Sequence, residues 1–180
     1  AARITYLEGY LWDPPHAKEA FLKAATIAHG AGRKVALTLS DAFRVDRYRA
    51  EFLDLIRNGT VDVVFANERE LHSLYQTADF DTAVNAIRTE AKLAVITRSE
   101  NGAVAIANGE RAAVAAEPVA KVVDTTGAGD LFAAGFLFGH VRGKSLNECL
   151  HLGAICAAEV ISHFGARPEA DLSALVSAKV

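Results

Sequence analysis

Seven consecutive residues, Asp124–Asp130, bring together the groups in this chain that are best suited to chemistry. They read Asp-Thr-Thr-Gly-Ala-Gly-Asp and run into an apolar segment long enough for about three helical turns. One of the two threonines is expected to cap that helix, whose first amides would then attract an anion such as a phosphate. Because Gly127 and Gly129 lack a Cβ, a phosphoryl group can approach the main chain closely. Asp130 fits best as a base that takes a proton from a hydroxyl attacking that phosphate.

A plain capped helix start would use the same residue types, with threonine as the cap, aspartate as a first-turn charge and glycine in a tight turn. Two aspartates, two threonines and two glycines within seven residues make that interpretation weaker than it is for an isolated Gly-x-Gly. The run is not a Walker loop and not a Gly-x-Gly-x-x-Gly dinucleotide fingerprint. Phosphate chemistry of another kind therefore remains the working hypothesis.

Alternating strands and helices are expected to position this turn. Apolar runs predict strands at 4–11, 35–39, 61–65 and 93–96, and amphipathic or apolar stretches predict helices at 16–31, 45–57, 80–90, 129–140 and 146–161. Asn108-Gly109 between runs 103–107 and 111–115 predicts a hairpin. Strand–helix alternation predicts an α/β fold with a mostly parallel sheet.

A second polar group, Asn67 with Glu70, follows the strand predicted at 61–65. Asparagine followed three residues later by glutamate is a capping box, and that structural interpretation is as strong as any other from the residues alone. The functional alternative is that both side chains face phosphates and position Mg²⁺ through water, since Mg²⁺ prefers oxygen ligands and keeps several waters. The two roles are compatible, because a helix N-terminus that faces phosphates is itself useful.

Together, Asp-Thr-Thr-Gly-Ala-Gly-Asp and Asn-x-x-Glu resemble the two signatures of the ribokinase-like (PfkB-type) family of sugar and nucleoside kinases. The resemblance implies a three-layer, doubly wound α/β domain spanning 1–180, without the N-terminal portion and lid. It implies that Asp130 is the catalytic base and contacts the substrate. The main chain at Gly127, Ala128 and Gly129 would form the anion hole for the γ-phosphoryl group of ATP.

The resemblance also implies an ATP-binding set made of Asn67, Thr97, Arg98, Ser99, Gly102 and Ala154. The family usually has Thr-x-Gly-x-x-Gly where this chain has Thr97–Gly102, so Ser99 replaces the first glycine and the backbone there is expected to be less free. Ala154 lies in a small-residue helix face that would border the adenine ring or, without the family, would serve close helix packing.

A monovalent cation, with K⁺ as the candidate, is implied just behind the signature turn. Asp124 and Thr126 would help to hold it, and main-chain carbonyls near Val160, His163 and Gly165 would surround it. The His163 side chain itself is expected to be an ordinary surface histidine. Glu169 stands where ribokinase often has a serine ligand, which leaves the need for the cation open.

Glu8 lies at the carboxyl end of a buried strand, where a carboxylate needs either a partner or a function and where ligands of open α/β sheets bind. Ribokinase-like members have a glutamate at the corresponding place near the sugar, and that resemblance implies that Glu8 contacts the acceptor. The run from Glu8 to Asp13, Glu-Gly-Tyr-Leu-Trp-Asp, resembles bacterial adenosine-kinase-like members. That resemblance implies adenosine as the acceptor, with ribose, fructose or a ketodeoxy sugar acid as the alternative. Pairing of Glu8 with a neighbouring arginine or tyrosine is the structural alternative.

The amino-acid composition narrows the possible binding partners and cellular setting. A net charge of -3 argues against binding of nucleic acid or of an acidic membrane, and no signal peptide or long apolar span appears, so a cytoplasmic setting is expected. Cys149 and Cys156, the two cysteines, are expected to be small core residues. Homodimerisation stays open. Because the chain has no methionine and nothing like the family's sugar-binding half, we expect it to be the later part of a longer protein.

Phosphoryl transfer from ATP to a primary alcohol is the function that these observations favour. A nucleotide-binding or oligomerisation fragment without catalysis is the alternative from a different class. A Rossmann dehydrogenase is the third possibility, and the missing dinucleotide fingerprint counts against it.

Overall fold

The computed structural model describes residues 2–177, so Ala1 and residues 178–180 of the predicted domain lie outside the described residues. Strands β1 (Ile4–Glu8), β2 (Lys34–Thr38), β3 (Val63–Asn67), β4 (Leu93–Thr97), β5 (Ala103–Ala107) and β6 (Glu110–Val114) form one sheet in that order. The helices of the described chain are α1 (Pro15–Gly30), α2 (Ala42–Arg57), α3 (Glu68–Tyr75), α4 (Phe80–Glu90), α5 (Ala128–His140), α6 (Leu146–Val160) and α7 (Leu172–Ser177). β1 pairs with β2, and β2 with β3, in parallel. The predicted α/β class with a mostly parallel sheet is confirmed.

The chain divides into two units. The first consists of the chain up to Ile96 together with Ile106–Glu110, and the second consists of Thr97–Ala105 together with the chain from Arg111 onward. In the first unit, Val35, Ala36 and Leu37 of β2 are fully buried, as expected for a strand of a parallel sheet that is covered on both faces. Helix α1 contributes Ala25 and Ala28 to the cluster around Val35.

The first strand ends earlier than predicted. The apolar run 4–11 predicts a strand through Leu11, but β1 stops at Glu8 and the chain turns into a short 3₁₀ helix, Gly9–Trp12. A Cβ at Gly9 would lie 2.6 Å from the carbonyl oxygen of Leu39, so the chain passes too close to the end of β2 for a side chain there. Beyond the turn Trp12 is buried against the ring of Phe21, with 5.3 Å between centroids. Tyr10 and Leu11, at the end of the predicted strand, are 51% and 56% exposed, so of the aromatic and aliphatic side chains in this short helix the indole is the one that joins the core.

The other predicted elements agree closely with the structure. Helix α4 and strand β5 have the predicted bounds, and Asn108 and Gly109 connect β5 to β6 with positive φ angles of 51° and 82°. Both cysteines are buried and free. Among the described residues, no helix is both long and apolar enough to cross a membrane.

In the second unit, α5 and α6 pack with their backbones in close contact. A Cβ at Gly135 of α5 would lie 2.4 Å from the carbonyl oxygen of Leu152, and one at Gly153 of α6 would lie 2.8 Å from the carbonyl oxygen of Phe132. A Cβ at Gly139 would meet the Leu152 side chain at 2.7 Å. These glycines let the two helices approach at distances that any larger residue would prevent. Close packing against α6 therefore fixes the position of α5, the helix that follows the signature turn.

Candidate active site

The signature turn begins helix α5, although not with the predicted cap. Gly127 is the N-cap residue, at φ 80° and ψ -1°, and no side chain caps the helix. The threonine cap predicted from the sequence is wrong, because the Thr126 hydroxyl and amide both donate to Oδ1 of Asp124, at 2.7 and 2.9 Å. The left-handed conformation at Gly127 favours glycine, since an L side chain there is strained.

Asp124 connects the turn to the segment that follows α6. Its Oδ2 accepts the Gly165 amide at 3.0 Å, while Oδ1 accepts the two bonds from Thr126. These bonds, that of the Thr126 hydroxyl foremost, lower the pKa of the Asp124 carboxyl. Three of the residues predicted around the monovalent cation are therefore brought together, and a charged carboxylate lies at their centre. The same segment touches the turn again, since a Cβ at Gly127 would lie 2.9 Å from the Cβ of Ala166.

Asp130 lies in the first turn of α5 and is exposed. Gly129 beside it is also exposed, and a Cβ built on it would meet nothing within 4 Å. A carboxylate and an open stretch of main chain therefore share the helix end to which anions are attracted. Of the three amides predicted for the anion hole, that of Ala128 already donates to the carbonyl oxygen of Thr125 at 3.2 Å, so it is engaged within the turn.

The loop after β4 adopts a shape that the sequence only partly predicts. Ser99, which replaces the usual glycine, has φ 51°, so it enters the left-handed region that a glycine would occupy without strain. The loop closes through bonds from the Arg98 amide to the Gly102 carbonyl at 2.8 Å and from the Gly102 amide to the Ser99 carbonyl at 3.1 Å. Gly102 has φ 82° and ψ -138°, and a Cβ there would lie 1.9 Å from the carbonyl oxygen of Val114. Thr97 is the last residue of β4.

Asn67 and Glu70, in the first unit, form a complete capping box at the start of α3. Asn67 Oδ1 accepts the Glu70 amide at 2.9 Å, and Glu70 Oε2 accepts the Asn67 amide at 3.0 Å. The Asn67 Nδ2 amide donates to Glu70 Oε1 at 2.6 Å. Asn67 is exposed, whereas Glu70 is 4% exposed. Burial raises the pKa of Glu70 to about 7, the Asn67 amide opposes that shift, and the charge of Asp41 adds to it.

These donors fit Mg²⁺ held through water. Asn67 offers an exposed side-chain amide and Glu70 a carboxyl group, and Mg²⁺ prefers oxygen ligands of these kinds and keeps several of its waters. Both Glu70 oxygens already accept bonds from Asn67, so Glu70 has little capacity for direct coordination. Among residues 2–177, no three His, Cys, Asp or Glu side chains cluster as metal ligands.

The remaining predicted residues lie at separate places. Glu8 is the last residue of β1 and is half-buried. Ala154 of α6 is 7% exposed and Val160 is fully buried. The neighbouring Gly153 packs on Phe132, so helix packing accounts for at least part of this small-residue face.

His163 and Glu159, a residue not predicted to belong to the site, form a partly buried pair behind the turn. The His163 side chain is 14% exposed, so it is less exposed than the predicted surface histidine. Its Nε2 lies 3.3 Å from Oε1 of Glu159, and its Nδ1 lies 3.3 Å from the carbonyl oxygen of Phe164. The Phe164 carbonyl, and after it Glu159 and Glu169, raise the pKa of His163 against the effect of burial. A single glutamate in the apolar second half of α6, residues 152–160, four residues before a histidine, is the sequence signal that indicates this pair.

Solved structures and characterised relatives resemble this chain over most of its described length. The structure of adenosine kinase from Sinorhizobium meliloti is 53% identical, with a TM-score of 0.96, and the match covers 99% of this chain and 54% of that one. A "probable sugar kinase protein" from Rhizobium etli CFN 42 is 56% identical, with a TM-score of 0.96, and the match covers 98% of this chain and 54% of that one. Cytidine kinase of Thermococcus kodakarensis is 36% identical over 139 residues, which are 74% of this chain and 49% of that protein.

This chain thus spans about half the length of the relatives that it matches. The predicted resemblance to ribokinase-like kinases is confirmed by the family comparison. A family model described as "pfkB family carbohydrate kinase" matches residues 1–172 of the 180-residue sequence, and the chain therefore belongs to the pfkB family of carbohydrate kinases.

Proposed function

We propose that the protein containing this chain transfers the γ-phosphoryl group of ATP to a primary hydroxyl of a nucleoside. The observation that carries the proposal is the exposed carboxylate of Asp130 in the first turn of α5, beside the open main chain at Gly129. A helix N-terminus attracts the phosphate, and a carboxylate at the same place can accept the proton of the attacking alcohol. Family membership supports the same reaction class.

In the proposed step, the substrate hydroxyl oxygen forms a bond to the γ-phosphorus while its proton passes to the Asp130 carboxylate. The bond between the γ-phosphorus and the bridging oxygen breaks, and the electron pair leaves with ADP. Main-chain amides at Gly127 and Gly129 offset the charge on the transferred group, so positioning and electrostatics carry most of the catalysis. Asp130 later returns its proton to solvent.

Mg²⁺, held through water near Asn67 and Glu70, would offset negative charge on the phosphate oxygens. Asn67 is the exposed member of the pair and Glu70 orients it through the capping box. In the second unit, Thr97, Arg98, Ser99, Gly102 and Ala154 are assigned to the nucleotide, and Asp124, Thr126 and the carbonyls of Val160, His163 and Gly165 to a monovalent cation such as K⁺. The low pKa of Asp124 favours this cation assignment, because the carboxylate stays charged.

Adenosine is the favoured acceptor, and Glu8 is assigned to its binding. The similarity to an adenosine kinase and to a cytidine kinase supports a nucleoside. A sugar is the second candidate, because a solved structure that is 56% identical to this chain is described as a "probable sugar kinase protein". Turnover of the full-length protein with adenosine, cytidine, ribose, fructose and a ketodeoxy sugar acid separates the two, and a preference for any sugar over both nucleosides would contradict the nucleoside assignment.

The base is tested with Asp130→Asn in the full-length protein. We expect kcat to fall on the order of 10²–10⁴-fold while a non-hydrolysable ATP analogue still binds, since the amide cannot accept the proton but keeps the shape. Asp54→Asn, the same chemical change at an exposed position on α2, is the control and should leave kcat unchanged. Normal turnover by Asp130→Asn would reject the base assignment. Nucleotide binding without turnover in the unmodified protein, with every acceptor, would favour a non-catalytic module instead.

A further inference from the structure

One glutamate on α6 is buried where the surrounding helix is apolar. The Glu159 side chain is 8% exposed and lies between Ala158 and Val160, which are 9% and 0% exposed. Its Oε2 is buried and has no hydrogen-bond partner. A buried carboxylate with an unsatisfied oxygen costs free energy, so a contribution to stability alone does not explain it.

The other oxygen of Glu159 holds both ends of the segment that joins α6 to α7, residues 161–171, which we call the 161–171 loop. Near the far end of this loop, Oε1 accepts the backbone amides of Glu169 and Ala170, each at 2.8 Å. Near its start, the same oxygen faces Nε2 of His163 at 3.3 Å. Because the loop is exposed over most of its length, these contacts supply fixed points that a hydrophobic core does not.

The middle of the 161–171 loop contacts the signature turn directly. The Gly165 amide donates to Oδ2 of Asp124 at 3.0 Å, and Ala166 lies so close to Gly127 that a Cβ there would be 2.9 Å away. The Ile161 carbonyl accepts the Val123 amide at 2.8 Å, just before the turn. A shift of the loop would therefore displace the Asp124 carboxylate and the N-cap residue of α5.

We propose that Glu159 is a positioning residue for phosphoryl transfer. It fixes the 161–171 loop, and through Gly165 and Ala166 the loop fixes the Asp124–Gly127 part of the turn that presents the anion-binding amides. This inference rests on the proposed function of the turn. In this arrangement Glu159 acts through the loop, because its hydrogen bonds go to His163, Glu169 and Ala170.

The test compares Glu159→Ala with Glu159→Gln in the full-length protein. Alanine removes the acceptor of both loop amides, so we expect kcat to fall on the order of 10–100-fold, because small misplacements of reacting groups are costly, while KM for the acceptor stays the same. Glutamine keeps one carbonyl oxygen as the acceptor and should restore most of the activity. A group that only stabilises the fold would lower the unfolding temperature without this split between kcat and KM.

Hydrogen–deuterium exchange gives a readout that is independent of activity. In Glu159→Ala the amides of the 161–171 loop should exchange faster, while those in the middle of α6 stay protected. Glu19→Ala is the matched control, because it makes the same substitution at a side chain that is 80% exposed on α1, and it should leave exchange in the 161–171 loop unchanged. Should Glu159→Ala not fold, Ala170→Pro removes one donor amide at an exposed position and should lower kcat in the same way.

The outcomes separate this inference from the proposed function. If the unmodified protein transfers phosphate and both Glu159→Ala and Ala170→Pro keep its kcat, Glu159 has no positioning role and the turn keeps its function. An unmodified protein that is inactive with every acceptor overturns the proposed function and this inference with it. Loss of activity in Glu159→Gln equal to that in Glu159→Ala would show that the charge, and not the acceptor geometry, matters.

Discussion

Replacing the two glycines of the signature turn one at a time separates the conformation of the turn from the space it leaves for a phosphate. Gly127→Ala places a side chain at φ 80°, whereas Gly129→Ala places one in the first turn of helix α5 with nothing within 4 Å. Both changes add the same methyl group within three residues. Differences between the two variants therefore report the local structure and not the chemistry of the substituent.

The expected loss of stability for Gly127→Ala follows from two contributions. An L residue in the left-handed region costs about 1–2 kcal/mol. The new Cβ would meet Ala166 at 2.9–3.0 Å, including backbone atoms, and overpacking of this kind costs about 1–3 kcal/mol. Two of the three nearest atoms belong to the Ala166 backbone, which no side-chain rotation can move away, so the second contribution is kept in full. We expect the free energy of unfolding to fall by about 2–5 kcal/mol in total.

Gly129→Ala should keep the stability of the protein and still lower its activity. Alanine is favoured over glycine by up to about 1 kcal/mol within a helix, so the protein should be as stable as the unmodified one or slightly more stable. Its methyl group nevertheless occupies the open approach beside Asp130, so kcat should fall while the fold is kept. This dissociation of activity from stability is the informative result.

Urea unfolding followed by circular dichroism measures the stability of both variants, and turnover of the full-length protein with ATP and adenosine measures their activity. A Gly127→Ala variant as stable as the unmodified protein would refute the conformational argument. Full activity in Gly129→Ala would refute the idea that the missing Cβ makes room for a phosphate. The first result would leave the second argument standing, since different contacts support them.

Two further predictions concern other parts of the site. Gly102→Ala should be more damaging to stability than Gly127→Ala, because its Cβ would lie 1.9 Å from the Val114 carbonyl oxygen, and comparison of the urea midpoints of the two variants checks the order. In metal-free protein, burial raises the pKa of Glu70 from 4.5 to about 7. The protonated carboxyl therefore stabilises the fold fully below about pH 4.5, and this stabilisation, about 3 kcal/mol, is lost as the pH rises through about 7. Glu70→Gln should remove this dependence, so unfolding curves at pH 5 and pH 8 that shift equally in both proteins would contradict the burial argument.

Local patterns predicted those parts of the fold that depend on neighbours along the chain. The bounds of α4 follow from its apolar spacing, and the Asn67–Glu70 capping box follows from two residues three apart. The end of β1 could not be predicted, because it depends on the distance from Gly9 to the Leu39 carbonyl, which belongs to a distant segment. Hydrophobic periodicity and residue propensities describe neighbours along the chain and do not indicate contacts between distant segments.

The candidate site, too, was predicted only in part. Asp124 and Thr126 of the signature run and Gly165, which the family resemblance places near them, do lie together. The identity of the helix cap was mispredicted, because the Thr126 hydroxyl donates to the Asp124 carboxylate instead of accepting a helix amide, and Gly127 takes the N-cap position. The hydrogen bonds of Glu159 reach residues ten and eleven positions later, across a loop whose path the sequence leaves open.

The glycine-mediated contact between α5 and α6 also limits how this protein can change over evolutionary time. At Gly135, Gly139 and Gly153 even a methyl group would meet atoms of the facing helix at 2.4–2.8 Å, so variation there should be almost absent in functioning descendants. The outward positions of the same helices, such as Ala134 and His151, are exposed and free to diversify. A library of random variants selected for activity should therefore accumulate changes on the outer faces while the seam between the helices stays fixed.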